Sequence, residues 1–312
     1  MKLALDALQI IVLVGIAPLI RGVVNRVKAR IQNRRGANVF RPYSDLWKLF
    51  HKEDLIPSTA SPLFRLCPVI LFAVTLACAA FVPALHASAL LGNRGDIILF
   101  VYLIALGRFF LVLGAMDGGS SFGGMGASRE AMVSTLAEAP LVLALIAVAV
   151  FSRSTSIASI VQWTAGRQPF EMSAVHAFAF AALVLVTIAE TGRVPVDNPA
   201  THLELTMIHE AMILEYSGPS LALIEWANST KLSLMFALLI ALFAPWGIAT
   251  GATILALAVA VVAYVLKIAV MIVALAAMES AVAKMRMYLV PEFLGIATAL
   301  SVLAVVFTVF KR

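Results

Sequence analysis

The sequence predicts an all-α polytopic membrane protein with about eight transmembrane helices. Of its 312 residues, 62% are hydrophobic and 13% are charged, whereas a soluble globular domain is about 45 to 50% apolar. A helix needs roughly 20 mostly apolar residues to cross the hydrocarbon core. The chain holds eight such runs, at about 3–20, 66–86, 97–115, 130–151, 173–191, 232–249, 251–278 and 292–310. We therefore expect a single integral membrane domain over residues 1–312.

The first apolar run is predicted to remain as a helix and not to be removed as a signal peptide. Its charged start is Lys2 alone, it contains Asp6, and it continues into "IRGVVNRVKAR" without a small-residue cleavage pattern. Residues 21–65 then form a predicted basic docking loop in the cytoplasm. Within it, "SDLWKLF" predicts a short amphipathic helix with Ser44 as its N-cap, which suits either a soluble partner or the lipid surface.

The basic residues favour one side of the membrane. Fifteen of the 23 Lys and Arg residues follow the first, third, fifth and seventh predicted spans, and six lie on the opposite side. By the positive-inside rule the richer side is cytoplasmic, so both termini lie outside. The net charge of +6 then reflects topology and lipid headgroups, and it needs no nucleic-acid partner. The fifteen are Arg21, Arg26, Lys28, Arg30, Arg34, Arg35, Arg41, Lys48, Lys52, Arg65, Arg129, Arg193, Lys231, Lys284 and Arg286.

The cysteines do not suggest a redox centre in this chain. Cys67 and Cys78 are the only two, and eleven residues of helix separate them by about 16 Å, which is too far for a disulfide. The sequence contains no C-x-x-C motif and no clustered Cys and His set. We expect that the chain binds no metal and no cofactor, and that any redox chemistry belongs to partners.

Several ionisable residues fall inside the predicted spans or at their ends. Each costs roughly 2.5 to 3.5 kcal/mol at membrane depth on insertion scales, which makes such residues functional candidates. Glu138 is the strongest, because it lies two turns into an apolar helix, just before Pro140, where a kink could admit water. Those at span ends can also be interfacial caps. The set comprises Arg108, Glu130, Glu138, Glu190, Lys267 and Glu279.

The segment "AETGRVPVDNPATHLELTMIHEAMILEY" begins a predicted acidic cytoplasmic loop at 192–231. Glu190 and Arg193 are three residues apart and are expected to pair where the helix ends. An amphipathic helix is predicted from about 199 to 215, with Glu204 and Glu215 on one face. Crowded carboxylates acquire raised pKa values and can relay protons. We predict a proton-accepting cluster at the inner mouth of a polar path; the alternative is an acidic face that docks a basic partner.

The motifs "QNRRGANV", "KLFHKEDLIP", "ETGRVPVDNP" and "LEYSG" in this chain resemble those of one membrane-subunit family. That family is shared by proton-pumping NADH:quinone oxidoreductase (complex I), where it is called subunit 1, and by group 4 NiFe hydrogenases of the formate-hydrogenlyase type. The resemblance runs the full length and implies a complex I subunit 1-like fold.

Departures from these motifs favour the hydrogenase branch. Ala37 replaces a proline of the motif, and Ala200 and His202 stand where the quinone branch has two carboxylates. "MESAVAKMR" is similar to a hydrogenase-branch motif, and the first loop is shorter than in quinone-reducing subunits. The resemblance therefore implies the membrane anchor and proton-path subunit of a hydrogenase complex in a prokaryotic inner membrane.

The resemblance also implies roles for individual residues. A proton path would use Glu138, Glu190 and Glu204, with Glu215 in the motif that ends the same loop; Glu130 and Glu279 are further candidates, and Asp117 and Lys267 resemble hydrogenase-branch features. Cavity-shaping residues would be Arg108, Arg129, Arg193 and Asp197. Docking residues would be Arg34, Arg35, Lys52 and Glu53.

The implied partners supply the metal chemistry. They are NiFe hydrogenase large and small subunits, which would hold the NiFe centre, an iron-sulfur subunit with the clusters, and antiporter-like membrane subunits. Three alternatives stay open: a quinone-reducing complex, a structural anchor with inert carboxylates, and a stand-alone secondary transporter. The transporter would be expected to show internal repeats, and the sequence shows none.

Overall fold

The protein folds into long helices that pack side by side. The computed structural model describes residues 2–92, 96–167, 174–198, 207–251 and 253–310. Within these ranges the β-pairing is limited to an isolated bridge between His86 and Ala249. The helices are α1 (Lys2–Ile31), α2 (Arg41–Phe50), α3 (Pro62–Ala79), α4 (Ile97–Asp117), α5 (Ser121–Ser152), α6 (Ile157–Ala165), α7 (Ala174–Glu190), α8 (His209–Ile213), α9 (Gly218–Phe243), α10 (Ile254–Ala281) and α11 (Val290–Phe310).

The prediction of about eight spans is confirmed. Within the described ranges seven helices, α1, α3, α4, α5, α9, α10 and α11, are long and apolar enough to cross a membrane. The eighth candidate, α7, is apolar and 17 residues long. The short helices α2, α6 and α8 connect these spans.

Several predicted boundaries are wrong, each for a physical reason. Helix α9 begins at Gly218, whereas the predicted span begins near 232. The prediction started too late because Glu225 and Lys231 lower the local hydropathy, although both form ion pairs inside the protein. The acidic loop predicted at 192–231 therefore ends before α9 begins. The predicted docking loop at 21–65 is also shorter, because α1 continues to Ile31 and α3 starts at Pro62.

Two short helices also differ from prediction. Helix α2 begins at Arg41 with a proline in its first turn, which pre-sets the helical backbone, so Ser44 lies inside the helix and is not its N-cap. The described part of the helix predicted at 199–215 is α8. The rest of that prediction, at 199–206 with Glu204, lies outside the described residues.

Helix α9 is the packing centre of the fold. It contacts α1, α2, α3, α6, α7 and α10, while α3, α4, α5, α11 and α7 continue the bundle pairwise. Pro18 lacks an amide hydrogen, so the Val14 carbonyl in α1 has no donor one turn later. The Trp226 indole N–H from α9 donates to that carbonyl at 3.1 Å. The Ser233 hydroxyl donates to the neighbouring Leu13 carbonyl at 3.2 Å. Side chains of α9 thus supply hydrogen-bond donors to the carbonyl groups of α1 near Pro18.

Candidate functional site

A charged cavity of about 620 Å³ opens at one end of the helix bundle. It lies where α1, α7 and α10 end and where α5 and α9 begin, with α4 contributing from within its last three turns. This is the side that the basic residues predict to be cytoplasmic. The ionisable residues that line it are Arg21, Lys28, Arg34, Arg35, Arg108, Glu130, Glu190, Arg193, Asp197, His209, Glu210, Glu225, Lys231 and Glu279.

Glu190 lies at the wall of this cavity with two cations beside it. Its side chain is fully buried, and its carboxylate is 2.6 Å from the Arg108 guanidinium and 3.0 Å from the Lys231 ammonium. A buried carboxylate is tolerated only when it is paired in this way. Within the described residues neither oxygen of Glu190 has a partner in hydrogen-bond geometry. Ion pairs with Arg108 of α4 and Lys231 of α9 hold this carboxylate in place.

The predicted pair between Glu190 and Arg193 is wrong. The chain turns at Gly192, whose φ of 57° allows a left-handed C-cap, and the Arg193 amide donates back to the Ile188 carbonyl. This turn directs Arg193 toward α10, where its guanidinium lies 3.4 Å from Glu279. Burial lowers the pKa of Arg193, and the Glu279 carboxylate opposes that shift.

Glu279 forms a second buried ion-pair group. Its carboxylate lies 2.9 Å from the Lys28 ammonium of α1 and accepts a hydrogen bond from Arg193, and its side chain is 1% exposed. It connects α1, α10 and the turn after α7. A third pair, between Arg21 of α1 and Glu225 of α9, lies on the same cavity wall.

Asp197 organises the segment that follows α7. Its buried carboxylate accepts hydrogen bonds from the Ile208 amide at 3.3 Å, the His209 amide at 3.1 Å and the Lys284 ammonium at 3.1 Å. The first two contacts hold the start of α8, which brings His209 to the cavity lining. The Arg129 guanidinium donates to the Met207 carbonyl at 3.0 Å in the same region. Asp197 and Arg129 therefore both contact residues at the start of α8, and their cavity-shaping role stays a prediction.

Other predicted proton-path residues lie away from the cavity lining. Asp117 accepts hydrogen bonds from the Ser61 amide and hydroxyl, at 2.8 and 2.9 Å, and so caps α3. Lys267 donates to the Ala244 carbonyl at 2.6 Å, which caps the end of α9. Glu215 is half-buried beside Gly118.

Glu138 is also absent from the cavity lining. It lies half-buried eight residues beyond Glu130 on α5. The structure therefore brings together Glu130, Glu190 and Glu279, but not Glu138.

The predicted docking residues divide into two groups. Arg34 and Arg35 are exposed at the cavity lining, in the turn after α1. Lys52 and Glu53 are exposed beyond α2 and do not line the cavity. Every residue of α2 is at least partly exposed, and Trp47 is 69% exposed. The exposed face around α2 thus combines aromatic and basic side chains.

Six ionisable residues of the cavity lining were not predicted as site residues: Arg21, Lys28, His209, Glu210, Glu225 and Lys231. Glu225 and Lys231 lie in the first part of α9, whose low hydropathy excluded it from the predicted span. The sequence therefore did not mark them as charges within a transmembrane helix. The described part of the chain holds no group of three His, Cys, Asp or Glu side chains placed to bind a metal. The arrangement instead suits proton transfer between the carboxylates and the cavity.

The helix bundle and its ion-paired cavity define a polytopic membrane protein with a charged chamber at one membrane face. The family model described as NADH dehydrogenase matches residues 5–309. The chain belongs to this family.

Individual relatives agree with that assignment. The chain is 32% identical to formate hydrogenlyase subunit 4 of Escherichia coli K12 over 296 residues, covering 94% of each chain. It is 32% identical to hydrogenase-4 component C of the same organism over 299 residues, covering 96% of this chain and 93% of the relative. It is 27% identical to an NADH-quinone oxidoreductase subunit of Rubrobacter xylanophilus over 245 residues, covering 76% and 73%. The expected closer likeness to the hydrogenase branch is confirmed.

The fold also matches a solved structure. A chain of the membrane-bound sulfane sulfur reductase, an archaeal respiratory membrane complex, superposes with a TM-score of 0.82 at 21% identity. The match covers 99% of this chain and 100% of the other. At this identity it supports the fold alone, and it confirms the predicted all-α membrane architecture.

Proposed function

We propose that this chain is the membrane anchor and proton-path subunit of a membrane-bound NiFe hydrogenase complex of the formate-hydrogenlyase type. The observation that carries the proposal is the cavity, in which the buried Glu190 carboxylate lies between Arg108 and Lys231. The 32% identity with formate hydrogenlyase subunit 4 and hydrogenase-4 component C over nearly the full length supports this complex type.

The chemistry of this chain is the movement of protons and not electron transfer. Electrons would pass through iron-sulfur clusters of a partner to a NiFe centre in a large subunit, where protons are reduced to H2. This chain would take up protons in the cavity at Glu130, Glu190 and Glu279. Each of Glu190 and Glu279 lies beside two cations, Arg108 and Lys231 for the first and Lys28 and Arg193 for the second.

The exposed face around α2, together with Arg34 and Arg35, would receive the soluble subunits. The two arginines are solvent-exposed at the edge of the cavity, so a partner docked there would cover its opening. The antiporter-like membrane subunits would pack against the side of the helix bundle. In this arrangement the cavity opens to the cytoplasm, the termini lie outside, and the membrane is the prokaryotic inner membrane.

A quinone-reducing complex is the second candidate, and the size of the cavity favours it. About 620 Å³ falls within the range of small-molecule sites, which is roughly 300 to 1,000 Å³. The relatives also include an NADH-quinone oxidoreductase subunit. A quinone headgroup would then occupy the space beside His209 and Asp197.

One experiment separates the two candidates. The complex is purified from membranes in mild detergent, its metals are analysed, and H2 production from a reduced one-electron dye is measured with and without inhibitors of quinone sites. The hydrogenase proposal predicts nickel and inhibitor-insensitive H2 evolution. A nickel-free complex that reduces ubiquinone or menaquinone would refute it.

A further inference from the structure

A cluster of polar side chains lies at the opposite end of the bundle from the cavity. Asp6 and Gln9 of α1 meet His86 and Ser88, which belong to the segment between α3 and α4. At 1.5 Å per residue, Asp6 is about 22 Å from Arg21 along α1, on the side predicted to be outside. Asp6 and His86 are each 8% exposed, and Gln9 is 3% exposed. A buried acid and a buried imidazole therefore lie close together, away from the cavity.

Gln9 fixes the arrangement of this cluster. Its Oε1 atom accepts hydrogen bonds from the three backbone amides of residues 84–86, at 3.2 to 3.4 Å. Its Nε2 group donates to the Ser88 carbonyl at 2.8 Å and to the Asp6 carboxyl group at 3.3 Å. Both hydrogens of the Gln9 amide are used in this way, which also determines its orientation. Gln9 thus supplies no hydrogen for the contacts of the Ser88 hydroxyl.

The Ser88 hydroxyl makes two short contacts and has one hydrogen. Its Oγ atom is 2.6 Å from Asp6 Oδ1 and 2.8 Å from His86 Nδ1. The Ser88 amide also donates to His86 Nδ1, at 3.1 Å. If Asp6 is ionised and Nδ1 carries no hydrogen, the three contacts share two hydrogens, and one short contact has none. The geometry therefore requires one further hydrogen in the cluster.

That hydrogen fits Asp6 better than His86. A protonated Asp6 donates to Ser88 Oγ, the hydroxyl donates to His86 Nδ1, and the Ser88 amide keeps its acceptor. A hydrogen on His86 Nδ1 would instead face the Ser88 amide, so that two donors would meet at 3.1 Å. Buried polar atoms are normally hydrogen-bonded. The arrangement in which every contact has its own hydrogen is thus the one with a neutral carboxyl group on Asp6.

Asp117, at the other end of the bundle, is the contrasting case. Its Oδ2 atom accepts from the Ser61 amide, the Ser61 hydroxyl and the Phe64 amide, at 2.8, 2.9 and 3.2 Å. The Ser61 hydroxyl in turn accepts from the Leu63 amide. Each of these contacts has its own hydrogen while the carboxylate is ionised. The same kind of side chain is therefore fully supplied with donors at Asp117 and lacks one hydrogen at Asp6.

We propose that Asp6, Ser88 and His86 form a proton-binding site on the side predicted to be outside. A proton on Asp6 completes the hydrogen bonds that join α1 to the segment between α3 and α4. Its release leaves the Ser88 hydroxyl with one hydrogen for two acceptors, so this junction weakens when the proton leaves. The site is independent of the proposed function, because it lies at the opposite end of α1 from the cavity carboxylates.

The elements around the site contribute neutral groups. Gln162 of α6 donates to the Ala87 carbonyl at 3.1 Å. The Ala249 backbone, between α9 and α10, exchanges hydrogen bonds with residues 85–87 at 2.9 and 3.0 Å. Within the described contacts of the site the titratable groups are therefore Asp6 and His86. The protonation of this pair decides whether the junction is complete.

Infrared spectroscopy tests for the proton directly, on the complex purified with its native lipids and with isotope-labelled aspartate. Near neutral pH we expect a C=O stretching band of a protonated aspartic acid that is lost in Asp6→Asn and kept in Asp117→Asn, the matched control. Ser88→Ala is a second variant, because it removes the atom to which Asp6 donates and should shift the band. No such band in the wild type, or a band that neither Asp6→Asn nor Ser88→Ala changes, would overturn the proposal.

Amide hydrogen exchange tests what the proton does. In the wild type we expect exchange of residues 84–88, corrected for its intrinsic dependence on pH, to increase as the pH rises and the acid band disappears. Asp6→Asn can donate an amide hydrogen to Ser88 Oγ at every pH, so it should keep this segment protected. Residues 61–64, which contact Asp117, are the control and should show no such increase. An equal increase in Asp6→Asn and in the wild type would contradict the role of the proton.

Discussion

The Arg108 guanidinium of α4 lies 2.6 Å from the carboxylate of Glu190 at the end of α7. Lys231 from α9 approaches the other carboxylate oxygen at 3.0 Å. Three helices thus meet at one buried charge group, beside a cavity that opens to the side predicted to be cytoplasmic. A movement of any of these helices would therefore alter the ion pairs at Glu190.

The buried Glu279 group should contribute strongly to the stability of the fold. Glu279→Leu leaves the buried Arg193 and the partly exposed Lys28 without their carboxylate, and breaking a buried pair costs about 3 to 5 kcal/mol. Helix α10 packs mainly on α1 and α9, so its cytoplasmic end should loosen. We expect a lower thermal midpoint and faster proteolysis after α10 in the purified protein. The exposed Glu292→Leu is the control; equal effects of the two substitutions would contradict the assignment.

The hydrogen bond from Trp226 to the Val14 carbonyl should stabilise the folded protein. Trp226→Phe removes the indole donor and leaves the buried Val14 carbonyl unsatisfied, at a cost of about 1 to 3 kcal/mol. Trp246→Phe is the matched control, because its indole donates to the Arg167 carbonyl at an exposed site. Detergent-denaturation curves should show a larger loss of unfolding free energy for Trp226→Phe. Equal losses would mean that α9 does not stabilise the proline site of α1.

The topology can be tested by accessibility to a membrane-impermeant thiol reagent. Ser44→Cys on α2 and Thr155→Cys before α6 are both exposed positions on opposite ends of the bundle. In a background without Cys67 and Cys78, we expect Ser44→Cys to react only from the cytoplasm and Thr155→Cys only from outside. The reverse pattern would invert the orientation predicted from the basic residues.

Arg34 and Arg35 should contribute to docking of the soluble subunits. The double variant Arg34→Ala, Arg35→Ala removes two exposed charges at the cavity edge, and the loss should be greater at low salt because exposed charges are screened. We expect less soluble subunit to co-purify with the membrane arm. Arg153→Ala, exposed on the other side of the bundle, serves as the control. Undiminished co-purification at low salt would contradict the docking role.

The sequence predicted the class of fold and part of the site. Long apolar runs predicted the spans, and the intramembrane charges identified Glu190, Glu279 and Arg108, because membrane burial makes such residues rare. The sequence could not predict which charges pair. Local spacing favoured Glu190 with Arg193, whereas the turn at Gly192 sends Arg193 to Glu279 on a helix about 90 residues later.

The start of α9 at Gly218 could not be predicted from hydropathy. Its first fourteen residues include Glu225, Asn228 and Lys231, which resemble a loop in any window average. They are helical because their polar groups meet partners from α1, α7 and α8, such as Arg21 for Glu225. These partners come from other helices that are distant in sequence, so a single sequence does not reveal them. The separation of Glu138 from the cavity is likewise a matter of helix packing.

The central claim is that Glu190 exchanges protons in a coupled complex, and proton movement per H2 in sealed vesicles tests it most directly. Glu190→Gln keeps the shape of the side chain but removes its ionisable carboxyl group, and the exposed Glu292→Gln is the control. We predict that the Glu190 variant assembles, retains dye-driven H2 production, and moves fewer protons per H2 than the control. Wild-type proton movement in the Glu190 variant would contradict this claim and leave the cavity charges with a structural role.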